Sequence, residues 1–392
     1  MTPVRRDSWL ERLNRAWTDC PIVWLSGVRR VGKTTLARML PAAIYMNCDL
    51  PSTSRLLRDP ELFLDEHERG TVFVFDEVHR LEDPSRLLKI VADEYPGLRV
   101  LATGSSTLAA TRKFRDTLTG RKRSVHLPPV LWDECNDWLG GSQLDRRLYH
   151  GGLPQALLAD SPSADFFGEW IDSFYARDIQ ELFQVRSRSG FQALFRLLLR
   201  QSGGQIDHTR LASLCQLSRL TIRSYIEAMT ITHALHLVPP YHGGGKREIV
   251  ARPKCYGFDT GFVCFERGWT GLRPEDRGLL WEHLVLDAVL GLFGDGRIFY
   301  WRDKAGREVD FVVRREGNRV DALECKINPD HLNRSALSAF RSLYPEGRNY
   351  IVSPAVRQHY STREDDLAVT VCDTPDLADV MGLPRPGASP QR

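Results

Sequence analysis

A chain of 392 residues, 42% hydrophobic and 26% charged, has the balance of a globular protein and exceeds what one core usually holds, so two or three domains are expected. No apolar run approaches the roughly 20 residues of a membrane span, and residues 1–14 lack a signal-peptide core, which points to the cytoplasm. The eight cysteines form no C-x-x-C pair and the eleven histidines no H-E-x-x-H spacing, so no zinc site is expected. Net charge is only +3 but unevenly spread: between Arg186 and Lys254, eleven Lys and Arg face three acids. So basic a segment suggests contact with a polyanion, the alternative being a solvated face.

Residues 21–26, P-I-V-W-L-S, predict a strand, and Gly27-Val28-Arg29-Arg30-Val31-Gly32-Lys33-Thr34-Thr35 leads from it into a helix. This is G-x-x-x-x-G-K-T in the strand–loop–helix setting that a phosphate-binding P-loop requires. Glycines let the backbone curl until successive N–H groups face phosphate oxygens, and the helix N-terminus adds the positive end of its dipole. Residues 27–35 are therefore expected to cradle a nucleotide, with Lys33 on the β- and γ-phosphates and Thr34 on magnesium.

Residues 71–75, T-V-F-V-F, predict a buried strand ending in Asp76, the expected magnesium-organising carboxylate, and Glu77, the expected base that orients a water. Further strands are predicted at 44–48 and 98–102. An inserted strand with Glu beside Asp matches the additional-strand branch of P-loop ATPases, and without an N-K-x-D motif adenine is favoured over guanine; ATP with Mg2+ is the expected pair. Thr103 and Ser105, in the turn T-G-S-S, are candidate sensors of the γ-phosphate, although such a turn is also ordinary turn chemistry. Arg121, just before a strand predicted at 124–127, is the candidate arginine finger. A finger acting in trans implies a homo-oligomer.

Amphipathic segments at 132–139 and 165–183, separated by the turn at Gly151-Gly152-Leu153-Pro154, have the size and position of a small helical lid. Arg177 on its last helix is placed to reach nucleotide, a surface ion pair being the plainer reading. An apolar helix is predicted at 191–199. Short helices at 209–214 and 220–229 follow around a tight turn, Ser218 capping the second, as in a helix-turn-helix. Strands predicted at 235–241 and 249–254 would form a wing joined by the loop at 242–247. Arg219, Arg223, Lys246 and Arg247 then fall where a winged helix contacts DNA, although winged helices also serve as protein-packing modules.

An almost uniformly apolar helix begins at Gly278 and carries Glu282. Strands predicted at 297–302, 308–313 and 320–326 carry Asp310, Glu324 and Lys326, and Glu324 and Lys326, two apart, share one face. Glu, then Asp, then Glu-x-Lys in a helix–strand–strand layout is the constellation of PD-(D/E)xK nucleases, in which carboxylates hold magnesium and the lysine positions water. Beyond Pro384 the tail is rich in Pro, Gly and Ser, and disorder is expected.

Over residues 5–375 the chain resembles the bacterial and archaeal AAA+ ATPases that carry a C-terminal domain of unknown function, DUF4143. The resemblance lies in G-V-R-R-V-G-K-T-T, F-D-E-V-H, A-T-G-S-S, T-G-R, G-G-L-P, R-D-I, K-R-E-I-V-A-R-P-K-C-Y-G-F-D-T-G, G-R-E-V-D-F-V-V and L-E-C-K. It implies an α/β architecture: a P-loop ATPase domain of the additional-strand type at 1–130, a helical lid at 131–185, a winged-helix domain at 186–272 and a restriction-endonuclease-like α/β domain at 273–380, with a tail at 381–392. A DNA-associated ATPase coupled to a nuclease-like domain is the leading expectation. The alternative is an ATP-gated switch or scaffold that processes no nucleic acid.

Overall fold

Strand β1 (Ile22–Ser26) is buried along its whole length and alternates its side chains between two cores. Ile22 and Trp24 face one cluster, Val23 and Leu25 the other, which is why the run reads as continuously apolar: a parallel strand covered on both faces has no polar side. The computed structural model of the protein describes residues 6–104, 116–139, 143–183, 185, 187–243, 252–317, 319–331, 334–364 and 366–383. Ser105, Lys246, Arg247 and the tail from 384 onward lie outside these residues.

Helix α1 (Asp7–Asp19) precedes β1, and α2 (Lys33–Arg38) follows it. β2 (Ile44–Asn47), β3 (Val72–Asp76), β4 (Arg99–Thr103) and β5 (Lys122–His126) complete a parallel sheet in the order β2-β3-β4-β1-β5, with α3 (Pro84–Glu94) between β3 and β4. β4 thus lies between the P-loop strand and the acid-bearing strand.

The middle of the chain includes α4 (Trp132–Leu139), α5 (Ala164–Phe174), a π-helical turn (Tyr175–Ile179), α6 (Arg188–Arg200), α7 (His208–Cys215) and α8 (Arg219–Ile231). Short antiparallel strands β6 (Gly204–Gln205), β7 (Leu235–Val238) and β8 (Lys254–Gly257) form a sheet in the order β6-β8-β7. Ser218 caps α8, its Oγ accepting from the Thr221 N–H at 3.0 Å. The second wing strand, expected at 249–254, begins only at Lys254; residues 249–251 are not described. One hydrophobic cluster runs from Val23 and Leu25 through Phe166 and Trp170 to Phe195, Ile226 and Phe258. The lid helices and the helices after them therefore share a core with one face of the P-loop sheet.

α9 (Thr260–Glu266) leads to α10 (Pro274–Phe293) and then to β9 (Ile298–Arg302), β10 (Glu308–Arg314), β11 (Val320–Cys325), α11 (Arg334–Leu343), β12 (Asn349–Val352), β13 (Tyr360–Glu364) and β14 (Leu367–Cys372). Their mixed sheet has the order β13-β14-β12-β11-β10-β9. Phe311 and Leu323 pack on Leu280, Trp281 and Leu284 of α10, whereas Val312 and Ala322 pack with Leu337 and Phe340 of α11. The two helices cover opposite faces. Among the described residues, no helix is long and apolar enough to cross a membrane.

Candidate functional site

The turn after β1 is held by two glycines in left-handed backbone. Gly27 has φ +146°, and a Cβ there would lie 2.5 Å from the Leu127 carbonyl oxygen; Gly32 has φ +103°. The loop borders a cavity of about 330 Å³ lined by Gly27, Val28, Arg29, Arg30, Gly32, Lys33, Thr34 and Thr35. Val31 does not line it: its side chain is fully buried in the core. Lys33 Nζ reaches back across the loop and donates to the carbonyls of Gly27 at 2.8 Å and Val28 at 3.1 Å. Burial pulls the Lys33 pKa below its ordinary value, against the raising influence of Glu77 and Asp178.

Asp76 is buried at the end of β3 with both carboxylate oxygens engaged. Tyr45 donates its hydroxyl to Oδ2 at 2.5 Å, and Thr103 donates a short hydrogen bond to Oδ1. Burial and the bond to Asp76 push Tyr45 up to about 12, so it stays a donor. Thr103 Oγ1 also accepts from the Glu77 N–H at 3.1 Å. Thr103, the candidate γ-phosphate sensor, is fully buried and does not line the cavity; its hydroxyl joins Asp76 to the Glu77 backbone. Glu77 itself lines the cavity in left-handed backbone, φ +57°, an arrangement that costs about 1–3 kcal/mol in a residue with a Cβ and recurs at functional sites. Its Oε2 lies 3.3 Å from His79 Nδ1. Thr103→Val, which keeps the shape and removes the hydroxyl, is expected to retain nucleotide binding and lose roughly tenfold or more in kcat; steady-state hydrolysis with a parallel binding titration checks it.

The end of α5 and the π turn after it, expected as part of a lid, border one side of the cavity. Arg177 and Asp178, in the π turn, both line it, and Asp178 Oδ2 accepts from Arg29 Nε at 3.0 Å. Such insertions are often found where a helix serves a site. Trp170 Nε1 donates to the Arg29 carbonyl at 3.0 Å, tying the lid's aromatic cluster to the loop. Thr232, which ends α8, also lines the cavity.

Arg121, the candidate finger, lies away from the loop of its own chain. β5 runs parallel to β1 with Lys122 beside Ile22, so Arg121 sits at the end of the sheet opposite the loop, about 15 Å away at roughly 3.3 Å per residue. It pairs with Asp93 on α3, Nε to Oδ1 at 2.5 Å. Within its own chain it does not meet the cavity. Arg121→Ala is expected to change hydrolysis per chain by less than about twofold, as for other exposed ion pairs.

Arg219 and Arg223 are exposed on the first turns of α8. Arg219 donates to Thr209 Oγ1 from Nη2 at 2.6 Å and from Nε at 3.1 Å.

The four C-terminal candidates do come together, but two lysines lie among them. Lys326 Nζ is 2.7 Å from Glu324 Oε2 and 3.1 Å from Asp310 Oδ2, which also accepts from the Cys325 N–H at 2.8 Å. Lys254 Nζ lies 3.1 Å from Glu282 Oε1 and 2.6 Å from Glu308 Oε1, and Tyr256 donates to Glu282 as well. Glu324 Oε1 is buried with no hydrogen-bond partner among the described residues, and burial together with Asp310 lifts Glu324 to about 8 despite Lys326. Burial likewise raises Glu282. Among the described residues, no three acids, histidines or cysteines are arranged to hold a metal ion. Lys254, Tyr256 and Glu308 were not singled out from the sequence.

The AAA domain family matches residues 19–136, a domain of unknown function (DUF8612) matches 141–273, and a domain of unknown function (DUF4143) matches 277–372. The chain thus belongs with the proteins that join an AAA domain to a C-terminal DUF4143 domain. DUF8612 spans both the lid and the segment after it, as does the shared hydrophobic cluster. Uncharacterized protein Rv2008c of Mycobacterium tuberculosis is 27% identical over 351 residues, covering 86% of this chain and 78% of its own, and Uncharacterized protein Mb2031c of Mycobacterium bovis matches to the same extent. Among solved structures, a RuvB variant from Thermotoga maritima overlaps with a TM-score of 0.29 and 16% identity, covering 60% of this chain and 90% of its own. Cdc6p from Pyrobaculum aerophilum overlaps with a TM-score of 0.29 and 12% identity, covering 73% and 96%.

Proposed function

We propose that this chain binds and hydrolyses ATP, and that its nucleotide state repositions a basic winged helix on DNA beside a nuclease-like C-terminal domain. The observation that carries the reading is one cavity bordered by the glycine-held loop, Lys33, Thr34 and Glu77, with Glu77 fixed through Thr103 to Asp76 behind it. Lys33 would pass from the loop carbonyls to phosphate oxygens, and loop N–H groups would bind the rest. Thr34 and Asp76 are the residues that would hold a magnesium ion, Asp76 through water: each of its oxygens accepts one hydroxyl and keeps acceptor capacity. Such an ion would neutralise charge developing on the phosphates. Glu77 would orient and deprotonate the attacking water, and Arg177 is the lid cation beside the same cavity.

Coupling to DNA is supported by α8. Its first turns carry Arg219 and Arg223, and Thr232 at its other end borders the cavity. A change at the phosphates that moves Thr232 moves the helix as one rigid body. Hydrolysis measured without DNA, with single strands and with duplex should show stimulation by one of them; no response would sink the DNA reading. Replacing Arg219 and Arg223 together by Ala should weaken binding across all sequences and flatten the log K against log salt slope by about two. A homo-oligomer is part of this reading, and its mass with and without ATP tests it.

The second reading, an ATP-gated switch whose nuclease-like domain does not cut, is favoured by one observation. Lys254 already bridges Glu282 and Glu308, and Lys326 bridges Asp310 and Glu324, so an ammonium group lies between each pair of carboxylates. Metal-dependent nicking by the parent chain that disappears in Asp310→Ala and Lys326→Ala would overturn it.

A further inference from the structure

The C-terminal sheet carries a second charged cavity, at the end of β11 opposite Glu324 and Lys326. It measures about 230 Å³ and is lined by Arg315, Arg319, Asp321, Arg348 and Tyr350. Three arginines and one aspartate thus share its lining. Asp321 is buried and already committed: its Oδ1 accepts from the Arg348 N–H at 2.8 Å, and its Oδ2 lies 3.6 Å from Arg315 Nε. Arg315 is fixed by donating from Nη2 to the Met381 carbonyl at 2.8 Å and by lying over the Phe293 ring at 5.3 Å. Its Nη1 is buried and has no hydrogen-bond partner among the described residues. An unpaired charged donor is costly, and the lining around it carries more positive than negative charge.

The wall that carries Arg348 is rigid. Buried Arg341 donates to the carbonyls of Val320 at 2.9 Å, Tyr344 at 3.1 Å, Glu346 at 3.2 Å and Arg348 at 2.6 Å, clamping the turn against β11. Gly347 has φ +130°, and a Cβ there would lie 1.9 Å from the Val320 oxygen, so the turn presses directly on the strand. Arg319 and Arg348 are exposed at the mouth.

The geometry points to a binding site for a phosphate monoester at this cavity. Three planar donor forks against one carboxylate leave an excess of two positive charges, which matches a dianion, and guanidinium forks suit tetrahedral phosphate oxygens. The monoester has two possible sources, a small free phosphate compound or the phosphorylated 5′ end of a nucleic-acid strand.

The test uses the full chain carrying Lys33→Ala, so that the P-loop cavity contributes nothing. Titration with inorganic phosphate at constant ionic strength should show one saturable site with Kd of about 1 mM or tighter. Adding Arg319→Ala and Arg348→Ala, both at exposed positions, should raise that Kd at least tenfold with the thermal midpoint unchanged. No saturable site, or an unchanged Kd in the variant, would overturn the assignment. A 5′-phosphorylated oligonucleotide and its 5′-hydroxyl twin then separate the sources. A preference for the phosphorylated strand that vanishes in the variant assigns strand ends; equal binding of the two, with inorganic phosphate still bound, assigns the small compound.

Discussion

Glu77→Gln is expected to bind ATP within about threefold of the parent chain while losing about 10²–10⁴-fold in turnover, the range for removal of a positioned general base. The substitution keeps the side chain's shape and leaves the backbone bond from the residue 77 N–H to Thr103 Oγ1 in place. Asp76 keeps Tyr45 and Thr103, so the metal-organising carboxylate is untouched. What disappears is the charge that takes a proton from water. Single-turnover hydrolysis beside a fluorescent-nucleotide titration separates the two effects. Undiminished hydrolysis by the Gln variant would remove Glu77 from the chemistry and turn attention to His79, 3.3 Å away.

The residues proposed to bind phosphate were legible because their spacing is local. Glycine, lysine and threonine within nine positions leave one workable backbone path, and the strand before them is uniformly apolar because both its faces are covered. The support behind them was not legible. Tyr45 reaches Asp76 only because β2 pairs with β3, Asn47 beside Asp76, across 31 positions that carry no motif. The contacts of Thr103 were not legible either, since a turn signature does not say whether a hydroxyl faces a cavity or the strand beside it. The place of Arg121 within its own chain was hidden for a related reason. Cations before a strand look favourably placed until the strand's direction is known, and the parallel register of β5 carries them to the far end of the sheet.

In the C-terminal sheet the period of two made Glu324 and Lys326 neighbours on sight, and they meet at 2.7 Å. Lys254 could not be placed that way. It closes the wing strand predicted at 249–254, yet it is buried between Glu282 of α10 and Glu308 of β10. The basic excess of the middle segment is therefore smaller at the surface than in the sequence. A charge count weights buried and exposed cations equally, whereas a polyanion meets only the exposed ones.

Lys33→Ala is expected to raise the Kd for ATP at least a hundredfold, about 3 kcal/mol, which is within the range for removing one partner of a desolvated charge pair. The same change should leave the nucleotide-free protein as stable as before or more so. Burial lowers the Lys33 pKa, so the folded state holds the ammonium less favourably than water does. The sign follows: a lysine whose folded pKa is depressed costs stability while pH lies below that folded value. The cost fades as pH rises through it, and alanine abolishes it at every pH. The carbonyls of Gly27 and Val28 lose a donor, which offsets part of the gain. Thermal unfolding with and without ATP reads both effects at once. In the parent chain, saturating ATP at a hundred times Kd should add about 2.7 kcal/mol of stability, and in the variant at the same concentration that increment should fall to about 0.4 kcal/mol or less while the baseline midpoint holds or rises. A lowered baseline would mean that Lys33 supports the loop rather than waiting for phosphate, and a retained ATP-dependent shift would place the nucleotide elsewhere.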